Sequence, residues 1–465
     1  MYAYDLYFSD GDGVIARFRV NPLGTFIVCH IFLVLLLGIS SSKSWLSNAA
    51  LSLFSILVTL FLIEKLLPSI ATHQAGIRES IQPIEGVFPY TSYDTAYFKN
   101  YVPNCEFHTQ LIPEDGSRKI LHRVNSDAMR GPEVPEKTKD ERRILLVGDS
   151  YIQALQVAYE ESIGPQLESL LPDSFSVLQH GFPSWSPLLE WNWILRKGLQ
   201  FDPDLVVLFL YPNDFYSGDA VGDSGYLPYA RFNEEGEPIA FDFSNVEAAH
   251  LPVNRNPWTL LKADWQRLRL IRMTSFMWRK AKARRMLEES ELPRYLEMST
   301  AEFRAAYVAN NQTKDLFTIA LWDYLELMRA SSIWSEEIKA RVEQSLQHIS
   351  GLQGSLQAHN IPMGLCLIPY PWQFSGENLV RKSEIGSWNE FVFPAGGLRD
   401  VIKEFSQESG IALLDLYSAT SQHKEEFPDE LLYCPSDPHW TVEGHQMAAK
   451  ALLQFLPQID LLEAN

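Results

Sequence analysis

Residues 143–151, Arg-Ile-Leu-Leu-Val-Gly-Asp-Ser-Tyr, constrain the fold of this chain more than any other stretch. Four consecutive apolar residues, two of them β-branched, followed at once by Gly148-Asp149-Ser150, read as a strand buried on both faces that ends in a tight loop. A strand without a polar face needs helices on both sides. Ligands of such open α/β sheets bind beyond the carboxyl ends of the strands, which puts Ser150 where chemistry is expected.

The same pattern repeats downstream. Residues 159–171 read as a helix, 174–179 as a strand, 187–199 as a helix and 204–211 as the most apolar strand of the chain. After a long interval, 335–358 reads as a helix before a strand at 363–368. A helix at 397–409 precedes a strand at 411–415, and 441–456 is a closing helix. Strands alternating with helices predict a three-layer α/β/α sandwich around a five-stranded parallel sheet. This domain is expected to span 142–460. An insertion at about 215–335 interrupts it: 217–256 is rich in Gly, Asp, Asn and Pro and reads as loop. Within 262–285, nine Lys or Arg stand against the single acid Asp264. Those cations fall all round a helical wheel, the pattern of a solvated helix rather than of one lying on lipid.

The chain begins differently. Residues 23–39 and 49–67 are apolar runs separated by a polar loop, each long enough to cross a bilayer core of about 30 Å. They predict a transmembrane helical hairpin after an N-terminal tail (1–22), with 68–141 as a lead-in of short strands and loops. Arg17, Arg19, Lys65 and Arg78 flank one side of the hairpin against Lys43 in its loop, which by the positive-inside rule places the large domain in the cytoplasm. A net charge of −19 argues against nucleic acid as a partner. Of the four cysteines, Cys29 and Cys366 fall in apolar runs, which leaves Cys105 with Cys434 as the pairing open to a disulfide.

Four blocks occupy the carboxyl ends of strands or the start of the last helix, and a parallel sheet brings them to one edge: Ser150, Gly181, Asn213, and His439 in Asp437-Pro438-His439-Trp440. Serine is a weak nucleophile unless a base takes its proton. His439 can do so, with Asp437 holding its tautomer. The backbone N–H groups of Ser150 and Gly181 and the Asn213 amide are candidate donors to an acyl oxyanion. Tyr151, Gln153 and His180 are candidates for the pocket wall, and His180 and His445 are rival bases by residue type. No cofactor is called for.

These blocks resemble those of the SGNH (GDSL-type) hydrolases over about 125–456, the insertion excepted. The preceding Asn125-Ser126-Asp127-Ala128-Met129-Arg130-Gly131 is similar to the lead-in of membrane-anchored bacterial members. The resemblance implies the three-layer sandwich and a seryl intermediate that either hydrolyses esters or passes acyl groups to glycans. It departs in two respects: the family's acid and histidine are usually spaced Asp-x-x-His, where this chain has Ser436 at the acid position, and many relatives follow the serine with small glycines where this chain has Gln153, Ala154, Leu155 and Gln156, which implies a narrower pocket and a small acyl group. The Asp-x-His-Trp form resembles relatives that O-acetylate extracellular polysaccharides. The expectation is a membrane-anchored serine esterase acting on small acyl, chiefly acetyl, esters of a carbohydrate or lipid. The alternatives are an O-acyltransferase for an extracellular glycan and a catalytically silent glycan-binding component. The resemblance outweighs the charge count by a narrow margin and puts the catalytic domain outside the cytoplasm.

Overall fold

The structure, a computed structural model, describes residues 81–83, 89, 96–97, 99–109, 119–183, 185–215, 229–242, 327–374, 396–434 and 439–459, together with 14–15, 18–19, 48, 52 and 55. The chain divides into two compact units, Met1–Ala75 with Pro252–Lys282, and Gly76–Leu251 with Ala283–Asn465. In the first, Val14–Ile15 pairs antiparallel with Phe18–Arg19. Ser52 and Ser55 apart, the two apolar runs at 23–39 and 49–67 lie outside the described residues, as does the basic stretch 262–285. Among the described residues no helix is long and apolar enough to cross a membrane.

The second unit opens with a small antiparallel sheet of β1 (Ile81–Pro83), β2 (Glu106–Thr109) and β3 (Ile120–Arg123), with β2 in the middle. The main sheet follows, made of β4 (Arg142–Gly148), β5 (Phe175–Gly181), β6 (Leu205–Leu210), β9 (Met363–Leu367) and β10 (Ala412–Asp415). Its order is β10-β9-β6-β4-β5, and every neighbouring pair is parallel.

Alternation along the strands builds two cores. Ile144, Leu146, Val207 and Phe209 face one side of the sheet, where helices α2 (Ile163–Glu168), α6 (Leu416–Glu426) and α7 (Val442–Phe455) contribute Ile163, Leu167, Leu416, Ala448 and Leu452. Leu145, Val147, Val206 and Leu208 face the other, under α3 (Pro187–Arg196), α4 (Glu336–Ala358) and α5 (Leu398–Ser409). All six residues of β6 are buried, and burying a Leu, Val or Phe side chain contributes roughly 1.5–3 kcal/mol. The three-layer sandwich with a five-stranded parallel sheet is as expected.

Four local expectations need correction. The helix expected over 159–171 is a 3-10 turn at Tyr159–Glu161 followed by the short α2, because Pro165 has no N–H to give to the preceding turn. Within the stretch read as loop, β7 (Tyr229–Phe232) and β8 (Pro238–Asp242) form a hairpin. Gly236 takes a positive φ of 84° in its turn, Asn233 Oδ1 accepts from Glu237 N at 2.7 Å, and Phe241 packs on Leu188 of α3. Helix α6 starts directly after β10 without a loop to announce it, capped by Asp415, whose Oδ1 accepts from Tyr417 N. No disulfide joins Cys105 to Cys434, the pairing left open by the sequence.

Candidate active site

The chain runs outward from β4 to β5 and then returns to the other side of β4 as β6. That reversal between β4 and β6 opens a crevice at the carboxyl edge of the sheet. Ser150 follows β4 and Asn213 follows β6, so the topology puts both at the crevice. Ser150 begins a one-turn helix, α1 (Ser150–Gln153), capped by Asp149, whose Oδ1 accepts from Tyr151 N at 2.9 Å. A helix this short cannot hold itself, and its neighbours must fix it.

Gly181 ends β5 level with Gly148. A Cβ on Gly181 would run into the Asp149 carbonyl oxygen and come within 2.6 Å of Gln153 N and 2.9 Å of the Ile152 carbonyl carbon. All three are backbone atoms of the turn that carries Ser150, so only glycine lets the two loops meet. Asn213 sits in a 3-10 turn at Pro212–Phe215, stabilised by Asp214 Oδ2 accepting from Tyr211 N at 2.7 Å. Its amide nitrogen donates to Asp149 Oδ2 at 3.1 Å.

His439 arrives from the far end of the chain, just before α7. Its carbonyl accepts from Cys434 N at 2.8 Å, the adjacent Trp440 bridges antiparallel to Tyr433, and Thr441 Oγ1 caps α7 by accepting from Gly444 N. With the backbone so fixed, His439 Nε2 stands 2.7 Å from Ser150 Oγ, across 289 positions of sequence. The ring is 9% exposed and packs on Tyr151 at a centroid distance of 4.9 Å.

Asp149 joins these groups and is the residue that sequence reasoning left out of the site. Its Oδ2 lies 3.2 Å from Ser150 Oγ and accepts from Asn213, while its Oδ1 caps the helix. The side chain is 1% exposed. Burial raises its pKa, opposed by the hydrogen bond from Tyr151 N, by His439, and by the hydrogen bonds from Asn213 and Ser150. The serine hydroxyl has one proton and two acceptors. The shorter contact, to His439, is the one that can activate it.

The remaining sequence candidates fall in other places. Asp437 lies outside the described residues. Tyr151 is buried between His439 and Tyr211, its ring centroid 4.6 Å from that of Tyr211, and supports the histidine instead of lining an open pocket. Gln153 is buried with its backbone against Gly181. His180 points away from Ser150 into an aromatic cluster, stacked on Trp193 at 4.1 Å and 11° and tilted against Trp185 at 5.1 Å. Burial alone holds its pKa down at about 3. His445 is buried in α7 against the Trp440 ring at 5.3 Å, its pKa lowered to about 3 by burial, Arg130 and His439. Neither rival histidine faces the serine. Neighbour identity in the core decides this, and a strand pattern does not disclose it.

Residues 327–464 match a family model described as an SGNH hydrolase-like domain of the acetyltransferase AlgX. No curated protein matches the chain. Solved structures similar to it include the acetyl xylan esterase AlAXEase, at 12% identity over 67% of this chain and 98% of that one, with a TM-score of 0.32. A member of the lipolytic G-D-S-L family from Veillonella parvula DSM 2008 shows 9% identity over 68% and 99%, with a TM-score of 0.31. LAE5, an alpha/beta hydrolase enzyme from the metagenome of Lake Arreo, Spain, shows 10% identity over 70% and 99%, also with a TM-score of 0.31. The matched segment contains His439, and the 2.7 Å contact ties that histidine to Ser150, just past the first strand of the parallel sheet. By that match the chain is similar, over residues 327–464, to an SGNH hydrolase-like domain.

Proposed function

We propose that the protein is a serine esterase that works through a seryl acyl-enzyme on small acyl groups, acetyl above all, carried by a carbohydrate or lipid. The observation that carries this is the Ser150 Oγ to His439 Nε2 distance of 2.7 Å on a backbone fixed at both ends. In the first half-reaction His439 Nε2 takes the hydroxyl proton as Oγ bonds to the carbonyl carbon. The charge that develops on the carbonyl oxygen is met by the N–H groups of Ser150 and Gly181 and by the Asn213 amide, which Asp149 orients. The C–O bond to the alcohol then breaks and His439 returns the proton to the departing oxygen. In the second half a hydroxyl attacks the acyl carbon as its proton passes to His439, the bond from the acyl carbon to Ser150 Oγ breaks, and His439 returns the proton to Oγ. Asp437 is the acid assigned to hold His439.

Water in the second half gives an esterase, and a sugar hydroxyl gives an O-acyltransferase. The transferase reading is favoured by the match of residues 327–464 to an acetyltransferase-type domain. Membrane anchorage by the two apolar runs and a catalytic domain outside the cytoplasm complete the proposal. Alkaline carbonate extraction tests the first, and a reporter fused to the C-terminus tests the second. A fluorophosphonate probe tests the enzyme itself: wild type should label and Ser150→Ala should not. Absence of labelling in wild type, or equal labelling of both, returns the fold to a silent binding component.

A further inference from the structure

The segment Asn125–Gly131 lies outside the main sheet, yet its arginine reaches the nucleophile turn. Arg130 is 5% exposed. Its Nη1 donates at 2.8 Å to the carbonyl oxygens of both Gln153 and Ala154, and its Nη2 donates to that of Val157 at 2.5 Å. Its Nε donates to His122 Nδ1 at 2.9 Å. That acceptor role leaves the His122 proton on Nε2, which donates to Thr109 Oγ1 at 2.8 Å, and the Thr109 hydroxyl donates on to Leu155 O at 3.0 Å. The hydrogen-bonded path that starts at Arg130 therefore ends on the same loop. Between them the two ends hold four carbonyls of residues 153–157.

The local sequence is shaped to deliver that guanidinium. Asn125 Oδ1 accepts from Asp127 N and Met129 N, and Asn125 Nδ2 donates to Pro132 O, which closes the loop tightly. Val124 bridges antiparallel to Arg130. Gly131 takes a φ of 125° with the Tyr159 ring against it, where a Cβ would come within 2.6 Å of two ring carbons, so no other residue fits after the arginine without strain.

The turn that Arg130 grips needs holding. Helix α1 has only four residues, and Ala154, which caps it, sits in the left-handed region at φ 53° and ψ 49° without being glycine. The last carbonyls of a helix lack internal partners, and here Arg130 supplies them. We propose that Arg130, through this clamp on residues 153–157, is a positioning residue for Ser150, setting the nucleophile and its backbone N–H at the distance His439 and Gly181 require.

The proposal rests on Ser150 being the nucleophile, and the test keeps the two apart. The rate constant for fluorophosphonate labelling of the full-length protein is measured at 25 °C for wild type, Arg130→Lys and Ser150→Ala, with the melting temperature of each. Lysine keeps the charge but cannot fork to several carbonyls. Arg130→Lys should label about 10–100-fold more slowly while still folded, as a misplaced nucleophile does, with the pH midpoint of labelling unchanged. A folded Arg130→Lys that labels at the wild-type rate overturns the proposal, whatever its melting temperature. Should Arg130→Lys not fold, Thr109→Val decides, because it removes the hydroxyl that links His122 Nε2 to Leu155 O and leaves Arg130 in place: slower labelling supports the clamp and an unchanged rate overturns it. Failure of wild type to label counts against Ser150 itself and not against the clamp.

Discussion

Replacing His180 with phenylalanine separates a structural histidine from a catalytic one. His180 is 2% exposed, and neither ring nitrogen has a hydrogen-bond partner among the described residues. In the folded chain its pKa is about 3, because burial penalises the charged ring; in the unfolded chain it returns to about 6.5. Between those values the unfolded state binds the proton and the folded state does not, so stability falls as pH drops below about 6.5. From pH 7 to pH 5 this one group costs about 2 kcal/mol, worth roughly 4–8 °C in melting temperature for a domain of this size. His122 and His445, held at about 2 and about 3 by burial, act in the same direction. His180→Phe keeps the stack on Trp193 and removes the titration. The difference in melting temperature between pH 7 and pH 5, followed by circular dichroism, should shrink by roughly those 4–8 °C, while labelling of Ser150 at pH 7 stays within about twofold of wild type. An unchanged difference refutes the burial argument. Loss of labelling in a folded variant restores His180 as a base.

Gly181→Ala forces a methyl onto backbone atoms of the nucleophile turn. It should cost about 1–3 kcal/mol of stability and at least 10²-fold in esterase rate on an activated acetyl ester, and near-wild-type turnover would show that the two loops have room to part. Asn213→Ala removes an oxyanion donor and a partner of Asp149, and kcat should fall about 10²–10³-fold with little change in KM. A rise confined to KM would make Asn213 a binding residue instead. Asp437→Asn should depress kcat by up to about 10⁴-fold with the fold intact, as expected when the base takes the wrong tautomer; unchanged kcat assigns another acid to His439.

The three central strands are legible because a strand buried on both faces is a continuous apolar run, as in Leu205–Leu210, and Ser150 and Asn213 are legible because each comes just after such a run. The hairpin at 229–242 is not, since its strands are short and partly exposed and its stability comes from packing on α3. The fate of His180 is hidden for another reason: along a strand successive residues go to opposite faces of the sheet, and which face meets a tryptophan depends on helix packing. Asp149 and Arg130 are visible as letters and not as partners, since the contacts that give them roles come from residues 64 and 23–27 positions away.

The central claim, that Ser150 carries the acyl group, is tested most directly by brief exposure to an activated acetyl ester, rapid acid quench and mass analysis of the peptides. An acetyl increment on the peptide containing Ser150, absent from Ser150→Ala and accumulating in an Asp437→Asn or His439→Ala variant more slowly than in wild type, is the predicted result. Ester turnover by wild type with that peptide unmodified at every quench time, and with Ser150→Ala equally active, would contradict it.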